Sequence, residues 1–397
     1  MKSNYNVLGN YIRLIDTRNK DGITDRVLGI NIDKFFMPSV ANVIGTDLRK
    51  YKLITKGKFA CNPMHVGRDE QLPIALYEEE EPALVSPAYF MFEIIDNTVL
   101  DENYLMMWFR RPEFDRICWL HTDGSVRGGI TWGDICRMEL PIPDIDKQRK
   151  IVNGYKAIID RIELKRKLND NLAETASTLF QKMFISNPNK KQWSVGTFSD
   201  LIKSTVGGDW GQEAPTGNYT QEISCIRGTD ISSLNYGSIS TAPKRFILAK
   251  NFVTKKVKPN DLVVEISGGS PTQATGRIAL VPQQVLDYRG DNLICSNFCR
   301  LVTVEQQHLY YFLQYWLYLY RAGRMFDYEN SSTGLKNFDF SSFVEKEPVP
   351  IPPSEILQQY DRAAKELYKQ LFTNGFEIEA LRETQGYILP RIMLHGI

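Results

Sequence analysis

The feature that most constrains this chain is an internal repeat whose two copies lie 209 residues apart. Residues 139–152 read ELPIPDIDKQRKIV and residues 347–360 read EPVPIPPSEILQQY, so each copy passes from a charged residue into a P-x-P pair. The tetrapeptides LAET (172–175) and LRET (381–384) keep the same interval further along the chain. An interval that holds over such a distance indicates a tandem duplication of a domain together with the segment behind it.

A second pattern follows each P-x-P pair, where apolar residues recur at alternating steps of three and four. The residues of this seam are Ile151, Tyr155, Ile158, Ile162, Leu172 and Leu179 in the first copy and Leu357, Tyr360, Leu367, Leu371, Ile378, Leu381 and Ile388 in the second. A spacing of 3.5 residues sustained over several heptads is typical of a coiled coil. Polar residues interrupt the seam at Lys165, Asn169 and Asn374, and such residues often fix the register of paired helices. Gly375 is predicted to be a local weak point, because glycine costs a helix about 1 kcal/mol.

The two copies also share features upstream of the helices. Gly67–Arg68 matches Gly276–Arg277 at the same interval, and each half has a run typical of an aromatic helix, at 103–111 and 307–316. Short β-rich runs surround these helices, which predicts an α+β domain in each half. We therefore predict globular domains over 1–143 and 186–352 and long helices over 144–185 and 353–397.

The two predicted long helices are separated by a whole domain and carry matched seams. They bury those seams most economically against each other. If the molecule has a pseudo-two-fold axis, the paired helices run antiparallel and hold the globular domains at opposite ends. The predicted fold is thus two similar α+β domains separated by an antiparallel two-helix coiled coil, with a pseudo-two-fold internal repeat.

The overall charge gives little indication of a partner. The chain carries 48 basic and 47 acidic residues, a net charge of +1, whereas nucleic-acid-binding proteins usually have an excess of Lys and Arg. The distribution of charge is more informative than its sum. Residues 48–68 and 244–260 each contain several Lys or Arg residues and no acid. These stretches are either nucleic-acid-binding surfaces or ordinary solvated faces.

The motifs of common active sites are absent. The Gly-rich stretch 267–277 lacks the G-K-[ST] of a phosphate-binding loop, and residues 60–68 resemble an Asn-Pro-Pro-aromatic methyltransferase motif only superficially. The six cysteines form no C-x-x-C pair, so we expect no metal site and free thiols. No export signal is visible, and we expect a cytoplasmic protein that is not an enzyme by itself.

In this order, twice along the chain, these features resemble the specificity subunit of type I restriction–modification systems. The resemblance is carried by LPIPDIDKQRKIV (140–152), VPIPPSEILQQY (349–360), the LAET and LRET helices, VGGDWG (206–211) and the two Gly-Arg loops, and it covers essentially the whole chain. The second copy departs from the first at SEILQQY, which lacks the basic K-Q-R.

The resemblance implies a function and a set of partners. In that family the two globular parts are target-recognition domains, each of which contacts one half of a split DNA sequence, and the helices fix the gap. The spacer docks two modification subunits, which bind S-adenosylmethionine and methylate adenine, and restriction subunits add ATP- and Mg-dependent cleavage. The chain itself is then a non-catalytic, DNA-binding specificity subunit without a cofactor of its own.

Candidate DNA-binding residues follow from the side chains that base edges and phosphates require. Arg68 and Arg277 are the first candidates for base contacts because they recur at matched loop positions, and Arg127 and Lys336 in the Gly/Ser loops before each P-x-P pair come next. The candidates for phosphate contacts are Lys56, Lys58, Lys255, Lys256 and Lys258. For each arginine, a structural salt bridge or cap is the alternative.

Two other functions fit the same pattern. A coiled-coil scaffold that presents two protein-interaction domains has no affinity for DNA, even with partners present. A standalone DNA-binding regulator binds its site tightly and specifically as an isolated chain. The sequence specifies neither the DNA bases recognised, nor the gap length, nor the identity of the partner subunits, nor whether the isolated chain dimerises.

Overall fold

The computed structural model describes residues 5–40, 45–64, 66–122, 128–238, 241–268, 272–332 and 335–395, with the backbone alone at 68, 331, 332, 335 and 388–395. The chain forms two compact units. Unit 1 contains residues 1–160 and 383–397, and unit 2 contains residues 161–382. Both boundaries fall inside long helices, so each unit includes parts of both helices.

Unit 1 contains ten short strands and the first helices. The strands are β1 Tyr5–Val7, β2 Ile12–Leu14, β3 Leu28–Ile30, β4 Phe36–Pro38, β5 Lys52–Ile54, β6 Phe59–Cys61, β7 Ile74–Leu76, β8 Ala83–Val85, β9 Phe90–Ile94 and β10 Glu139–Pro141. The helices are α1 Val66–Asp69, α2 Glu102–Phe109, α3 Pro112–Leu120, α4 Trp132–Arg137 and the first part of α5 Ile145–Phe180. The long α5 ends in one π-helical turn, Gln181–Ile185.

Unit 2 contains the second set of strands and helices. The strands are β11 Ser194–Thr197, β12 Ile202–Gly207, β13 Tyr219–Ile226, β14 Lys244–Leu248, β15 Asp261–Glu265, β16 Ser267–Gly268, β17 Ile278–Val281, β18 Leu293–Cys295, β19 Cys299–Val304, β20 Glu329–Ser332, β21 Leu335–Phe338 and β22 Pro348–Ile351. The helices are α6 Ile231–Leu234, α7 Ala249–Lys255, α8 Gln283–Arg289, α9 Leu309–Arg321, α10 Phe340–Lys346 and most of α11 Ser354–His395. Within the described ranges, none of the helices combines the length and apolar character needed to cross a lipid bilayer.

The central sheet has the same strand order in each unit. In unit 1 the order is β2-β9-β6-β7, and in unit 2 it is β12-β19-β15-β17, with every neighbouring pair antiparallel. An aromatic helix packs into the core beside each sheet, α2 in unit 1 and α9 in unit 2. The prediction of an α+β fold is therefore confirmed.

The P-x-P pairs end a strand that leads directly into each long helix. The strand β10 pairs with β1, and β22 pairs with β11, both antiparallel. In unit 1 the hydroxyl of Tyr104 on α2 donates to the carbonyl of Pro141 at 3.0 Å. In unit 2 the hydroxyl of Tyr311 on α9 donates to the carbonyl of Pro350. Each aromatic helix is thus hydrogen-bonded to the strand from which a long helix begins.

The matched seams pair with each other in antiparallel orientation, as predicted. In unit 2, Lys165 forms an ion pair with Glu377 at 2.8 Å, whereas further along α5 the carbonyl of Ala176 accepts a hydrogen bond from the Tyr360 hydroxyl at 3.1 Å. As the residue number rises in α5 it falls in α11, which defines opposite directions. Within unit 1, Gln385 of α11 donates to the hydroxyl of Tyr155 at 2.9 Å.

Most of the predicted seam residues are covered by the partner helix or by the adjoining domain. The buried ones are Ile151, Tyr155, Ile162, Leu357, Tyr360, Leu371 and Ile378. Ile158, Leu172, Leu179, Leu367 and Leu381 are half-buried, and the side chain of Ile388 lies outside the described part of the chain. Gly375, predicted to be a local weak point, is buried, and α11 is continuous through it.

The prediction that Arg68 and Arg277 occupy equivalent positions in the two copies of the repeat is wrong. The fourth strand of each central sheet has the same sequence, IAL, at 74–76 in β7 and at 278–280 in β17. These strands are 204 residues apart, so the 209-residue interval fails in this part of the repeat. Arg277 directly precedes its strand, whereas Arg68 lies in α1, several residues before the strand. Loop insertions between equivalent strands shift the interval without changing the sheet.

Candidate nucleic-acid interface

A cleft of about 650 Å³ opens in unit 2 at the end of β15. Its lining combines side chains able to hydrogen-bond with base edges and two aromatic residues. The residues are Trp210, Arg227, Gly228, Thr229, Glu265, Ser267, Gly268, Gln273, Arg277, Ser296, Asn297 and Phe298. Phe298 is 48% exposed, so it is available for contact at the surface.

Arg277 is held rigidly in this cleft by a buried carboxylate. Its Nε donates to Glu265 Oε2 at 2.9 Å and its Nη2 to Glu265 Oε1 at 2.6 Å. The hydrogen bond to Glu265 raises the pKa of the guanidinium, despite the opposing effect of burial. The bidentate pair with Glu265 restrains the planar guanidinium group of Arg277. The remaining nitrogen, Nη1, has no acceptor among the described residues.

Arg227, which also lines the cleft, is held in the same way. Its Nε and Nη2 each donate to a carboxylate oxygen of Asp230 at 3.0 Å, and Nη2 also donates to the carbonyl of Thr241 at 2.7 Å. Burial acts to raise the pKa of Asp230, but the hydrogen bonds from Arg227 and Thr241 outweigh it and leave that pKa lowered. The cleft therefore presents two guanidinium groups, each fixed by a buried acid.

Lys336, a predicted DNA contact, lies close to this cleft in the fold. It is on β21, which pairs with β16 so that Lys336 is opposite the cleft residue Gly268. Its ammonium group lies 3.1 Å from Glu329 Oε2 and 5.1 Å from the centre of the Phe326 ring. Lys336 thus lies opposite a residue of the cleft, although its ammonium group is paired with an acid.

The glycines of VGGDWG place Trp210 in the cleft. A Cβ on Gly208 would lie 2.0 Å from the carbonyl oxygen of Ser296, so only glycine allows the two backbones to approach. Gly211 has a φ of +65°, in the left-handed region that favours glycine. The guanidinium of Arg245 stacks 4.0 Å from the centre of the indole ring and holds Trp210 in place.

The predicted phosphate-binding lysines differ in how much they are engaged within the protein. Lys56 forms an ion pair with Glu80, and Lys58, which precedes β6, forms one with Glu93 on β9. Burial lowers the pKa of Lys58, and the nearby Arg13 lowers it further.

In unit 2, Lys255 donates to the carbonyl of Gly208 at 2.7 Å, and Lys256 lies 3.1 Å from Asp291. Lys258 is exposed, and its side chain has no ion-pair partner among the described residues. Of the three lysines in this segment, Lys258 is the one available for a phosphate without first breaking a contact.

Two further candidates receive no test from the structure. Arg127 lies outside the described residues, and of Arg68 only the backbone is described, in α1. Unit 1 has a separate polar cavity of about 550 Å³ beside α1 and α3, lined in part by Arg110 and Arg116. Both are exposed, so unit 1 also presents side chains that can contact base edges.

Sequence reasoning missed several residues of the cleft in unit 2. Arg227, Gln273 and the adjacent pair Asn297 and Phe298 come from three separate loops, and no local pattern links the three. Trp210 is part of VGGDWG, which the resemblance singled out without assigning the tryptophan a place. Among the described residues, no group of three or more His, Cys, Asp or Glu side chains could hold a metal ion.

Comparisons with known proteins agree with the fold and the resemblance. No family model matches the chain. It is 23% identical over 293 residues to the specificity subunit of the type I restriction enzyme MjaIX from Methanocaldococcus jannaschii, a match that covers 68% of this chain and 64% of that protein. It is 24% identical over 155 residues to the HindI specificity subunit of Haemophilus influenzae, covering 38% of this chain and 33% of that one.

A solved structure has the same fold over nearly the full length. It is the S subunit of a type I restriction–modification system from M. genitalium, with a TM-score of 0.57 and 13% identity, covering 98% of this chain and 95% of that one. The protein therefore has the fold of a type I S subunit. The resemblance to type I restriction specificity subunits is confirmed, although the sequence matches span less than two thirds of the length of either relative.

Proposed function

We propose that this chain is the DNA sequence-recognition subunit of a type I restriction–modification complex. Each globular domain contacts one half of a split DNA site, and the paired helices fix the gap between the halves. Tethering makes the second binding event intramolecular, so the discrimination of the two domains is combined. The observation that carries the proposal is the antiparallel pairing of two helices, each of which follows an α+β domain with the same strand order.

The cleft of unit 2 is the proposed base-contacting surface of the second domain. Arginine, glutamine and asparagine side chains are the groups that discriminate base edges, and this cleft contains Arg227, Arg277, Gln273 and Asn297. The guanidinium groups are restrained by Glu265 and Asp230, so little side-chain entropy is lost on binding.

In this proposal the chain performs no chemistry itself. Two modification subunits dock on the spacer, bind S-adenosylmethionine and methylate adenine, and restriction subunits supply ATP- and Mg-dependent cleavage. A net charge of only +1 is compatible with this role, because partner subunits contribute to the positive surface that surrounds DNA.

The test is to produce the chain together with the methyltransferase subunits of a type I system and to map methylated adenines across a genome. We expect a two-part motif with a gap of fixed length. Deleting one heptad from the first helix should change the gap and leave both half-sites unchanged. A single undivided motif, or a gap that does not depend on helix length, contradicts the proposal.

The same material separates the two alternative functions. A protein scaffold shows no DNA affinity even after the methyltransferase subunits are added. A standalone regulator binds one site tightly as the isolated chain. Weak or nonspecific binding by the isolated chain, converted to split-site binding by the partner subunits, is the result expected here.

A further inference from the structure

Gly375 of α11 is in direct backbone contact with a turn of the second globular domain. A Cβ on Gly375 would lie 2.1 Å from the carbonyl oxygen of Tyr236 and 2.8 Å from the Cα of Gly237. Gly237 has a φ of +82°, and a Cβ there would lie 3.2 Å from the Cα atoms of both Gly375 and Phe372. Gly375 and Gly237 therefore face each other across the contact, and their backbones approach directly because neither residue has a side chain.

A buried carboxylate one turn further along α11 ties the same turn to the helix. Glu379 is 4% exposed. One of its oxygens accepts a hydrogen bond from the Ser238 hydroxyl, and the other lies 2.7 Å from Nη2 of Arg289 at the end of α8. Breaking such a pair leaves a buried charge without compensation, so the arrangement is strongly maintained.

An aromatic stack completes the contact between these two elements. The rings of Tyr288 on α8 and Phe376 on α11 lie 4.7 Å apart with an interplanar angle of 17°. The turn itself is closed by backbone hydrogen bonds from Tyr236, Gly237 and Ser238 to carbonyls in α6. The domain is thus attached to α11 at three adjacent points within five residues of the helix, which fixes its rotation about the helix axis.

This contact is not a product of the repeat. The residues 209 positions before Gly375 and Glu379 are Arg166 and Asp170, and both are exposed on α5. The fold of the second domain therefore explains why position 375 of α11 is a glycine. Its backbone must be open for Tyr236 and Gly237 to approach.

We propose that Gly375 and Glu379 are positioning residues that fix the orientation of the second recognition domain on the spacer helix and thereby set the spacing of the two DNA half-sites. This inference rests on the proposed function. It assigns gap discrimination to a specific docking contact as well as to helix length. The two residues themselves contact no DNA.

The test compares Gly375→Ala with Gly386→Ala in the full complex with methyltransferase subunits. Gly386 is in the same helix and is exposed, and a Cβ added there would have nothing within 4 Å, so alanine only favours the helix. Binding is measured on duplexes whose gap varies by one base pair around the preferred length. Gly386→Ala should retain the preference, whereas Gly375→Ala should lose roughly tenfold in affinity at the preferred gap. Base preference within each half-site should stay unchanged in both variants.

Glu379→Gln provides a second variant if Gly375→Ala fails to fold. It keeps the side-chain shape and the contact with Ser238 but removes the charge that pairs with Arg289. We expect a partial loss of gap preference. Wild-type gap preference in both Gly375→Ala and Glu379→Gln would overturn the inference, and so would a changed base preference at the second half-site.

Hydrogen–deuterium exchange on the full chain without DNA distinguishes this inference from the proposed function. Amides of 236–238 and of α8 should exchange faster in Gly375→Ala than in Gly386→Ala. Unchanged exchange contradicts the docking contact. A further outcome is faster exchange in Gly375→Ala while the wild-type complex shows no preference for a split site. That result would confirm the docking contact and contradict both the proposed function and the role of the contact in spacing.

Discussion

Asn374 Nδ2 donates a hydrogen bond to Asn169 Oδ1 at 2.9 Å, between two helices that run in opposite directions. Asn169 Nδ2 in turn donates to the carbonyl of Leu371 at 3.1 Å, and Lys165 donates to Asn374 Oδ1 at 2.9 Å. Both asparagines are 1% exposed. The three polar residues that interrupt the seams, Lys165, Asn169 and Asn374, therefore form hydrogen bonds at a single level of the coiled coil. A shift in the register of the two helices would break these hydrogen bonds.

The asparagine pair should contribute more to register than to stability. Asn374→Leu alone leaves the Asn169 oxygen without its donor and should lower the free energy of unfolding by about 1–3 kcal/mol. The double variant Asn169→Leu/Asn374→Leu should recover most of that loss, because two apolar groups replace two polar ones. Urea denaturation followed by circular dichroism measures both, with exposed Asn171→Leu as control.

The double asparagine variant should also affect DNA recognition. Without a polar pair the helices can adopt alternative registers, so the complex should accept more than one gap length. Mapping methylated adenines checks this expectation. A double variant that is as unstable as Asn374→Leu, with a single gap retained, would show that the pair does not act as described.

Glu377 should make the coiled coil of unit 2 sensitive to acid. Hydrogen bonds from Lys165 and Arg161 lower its pKa in the folded protein, against the effect of burial. The folded state therefore binds fewer protons than the unfolded state. The stabilising contribution is present above the ordinary glutamate pKa of about 4.3 and is lost as the pH falls through the lowered folded value.

Unfolding free energies measured from neutral pH down to acid check this prediction. Glu377→Gln should be less stable than the wild type at neutral pH, and the difference should shrink as the pH falls. Glu366→Gln is a matched control, since Glu366 is exposed on the same helix and has no ion pair among the described residues. A difference between Glu377→Gln and wild type that stays constant with pH contradicts the assignment.

Arg277 should affect one half-site only. Arg277→Lys keeps the charge but cannot form the bidentate contact with Glu265, so the donors in the cleft lose their fixed direction. We expect recognition at one position of one half-site to weaken by about 1–3 kcal/mol, with the other half-site unaffected. Methylation assays on duplexes altered in one half at a time measure this, and thermal unfolding shows whether the fold is intact. Equal loss at both halves contradicts the two-domain assignment.

Lys258 should act on phosphate rather than on bases. It is exposed and has no ion-pair partner among the described residues, whereas Lys244 in the same acid-free stretch forms an ion pair with Glu222 at 2.8 Å. Lys258→Ala should weaken DNA binding equally for all sequences. It should also reduce the magnitude of the slope of log K against log salt concentration by about 0.9. Lys244→Ala should change it less. Titrations at several salt concentrations measure both, and a sequence-dependent loss in Lys258→Ala would indicate a base contact instead.

Two lysines of the acid-free stretches have acidic partners from other parts of the chain. Lys58 lies in a segment without acids, yet it is paired with Glu93 because β6 and β9 are antiparallel neighbours. Lys256 is paired with Asp291 from a distant loop. Ion pairs form between residues that are close in space, so a stretch of sequence that lacks acids does not define a free basic surface.

The sequence by itself determined the α+β class of both units and the antiparallel pairing of the two long helices. These depend on periodic apolar positions and on P-x-P strand ends such as Pro141 and Pro350, which are patterns within single elements. Only the tertiary structure decided that Gly375 is a docking point and that Arg277 is held by Glu265. Those roles depend on which backbone or carboxylate approaches from another part of the chain, and the folded core, not local periodicity, sets that approach.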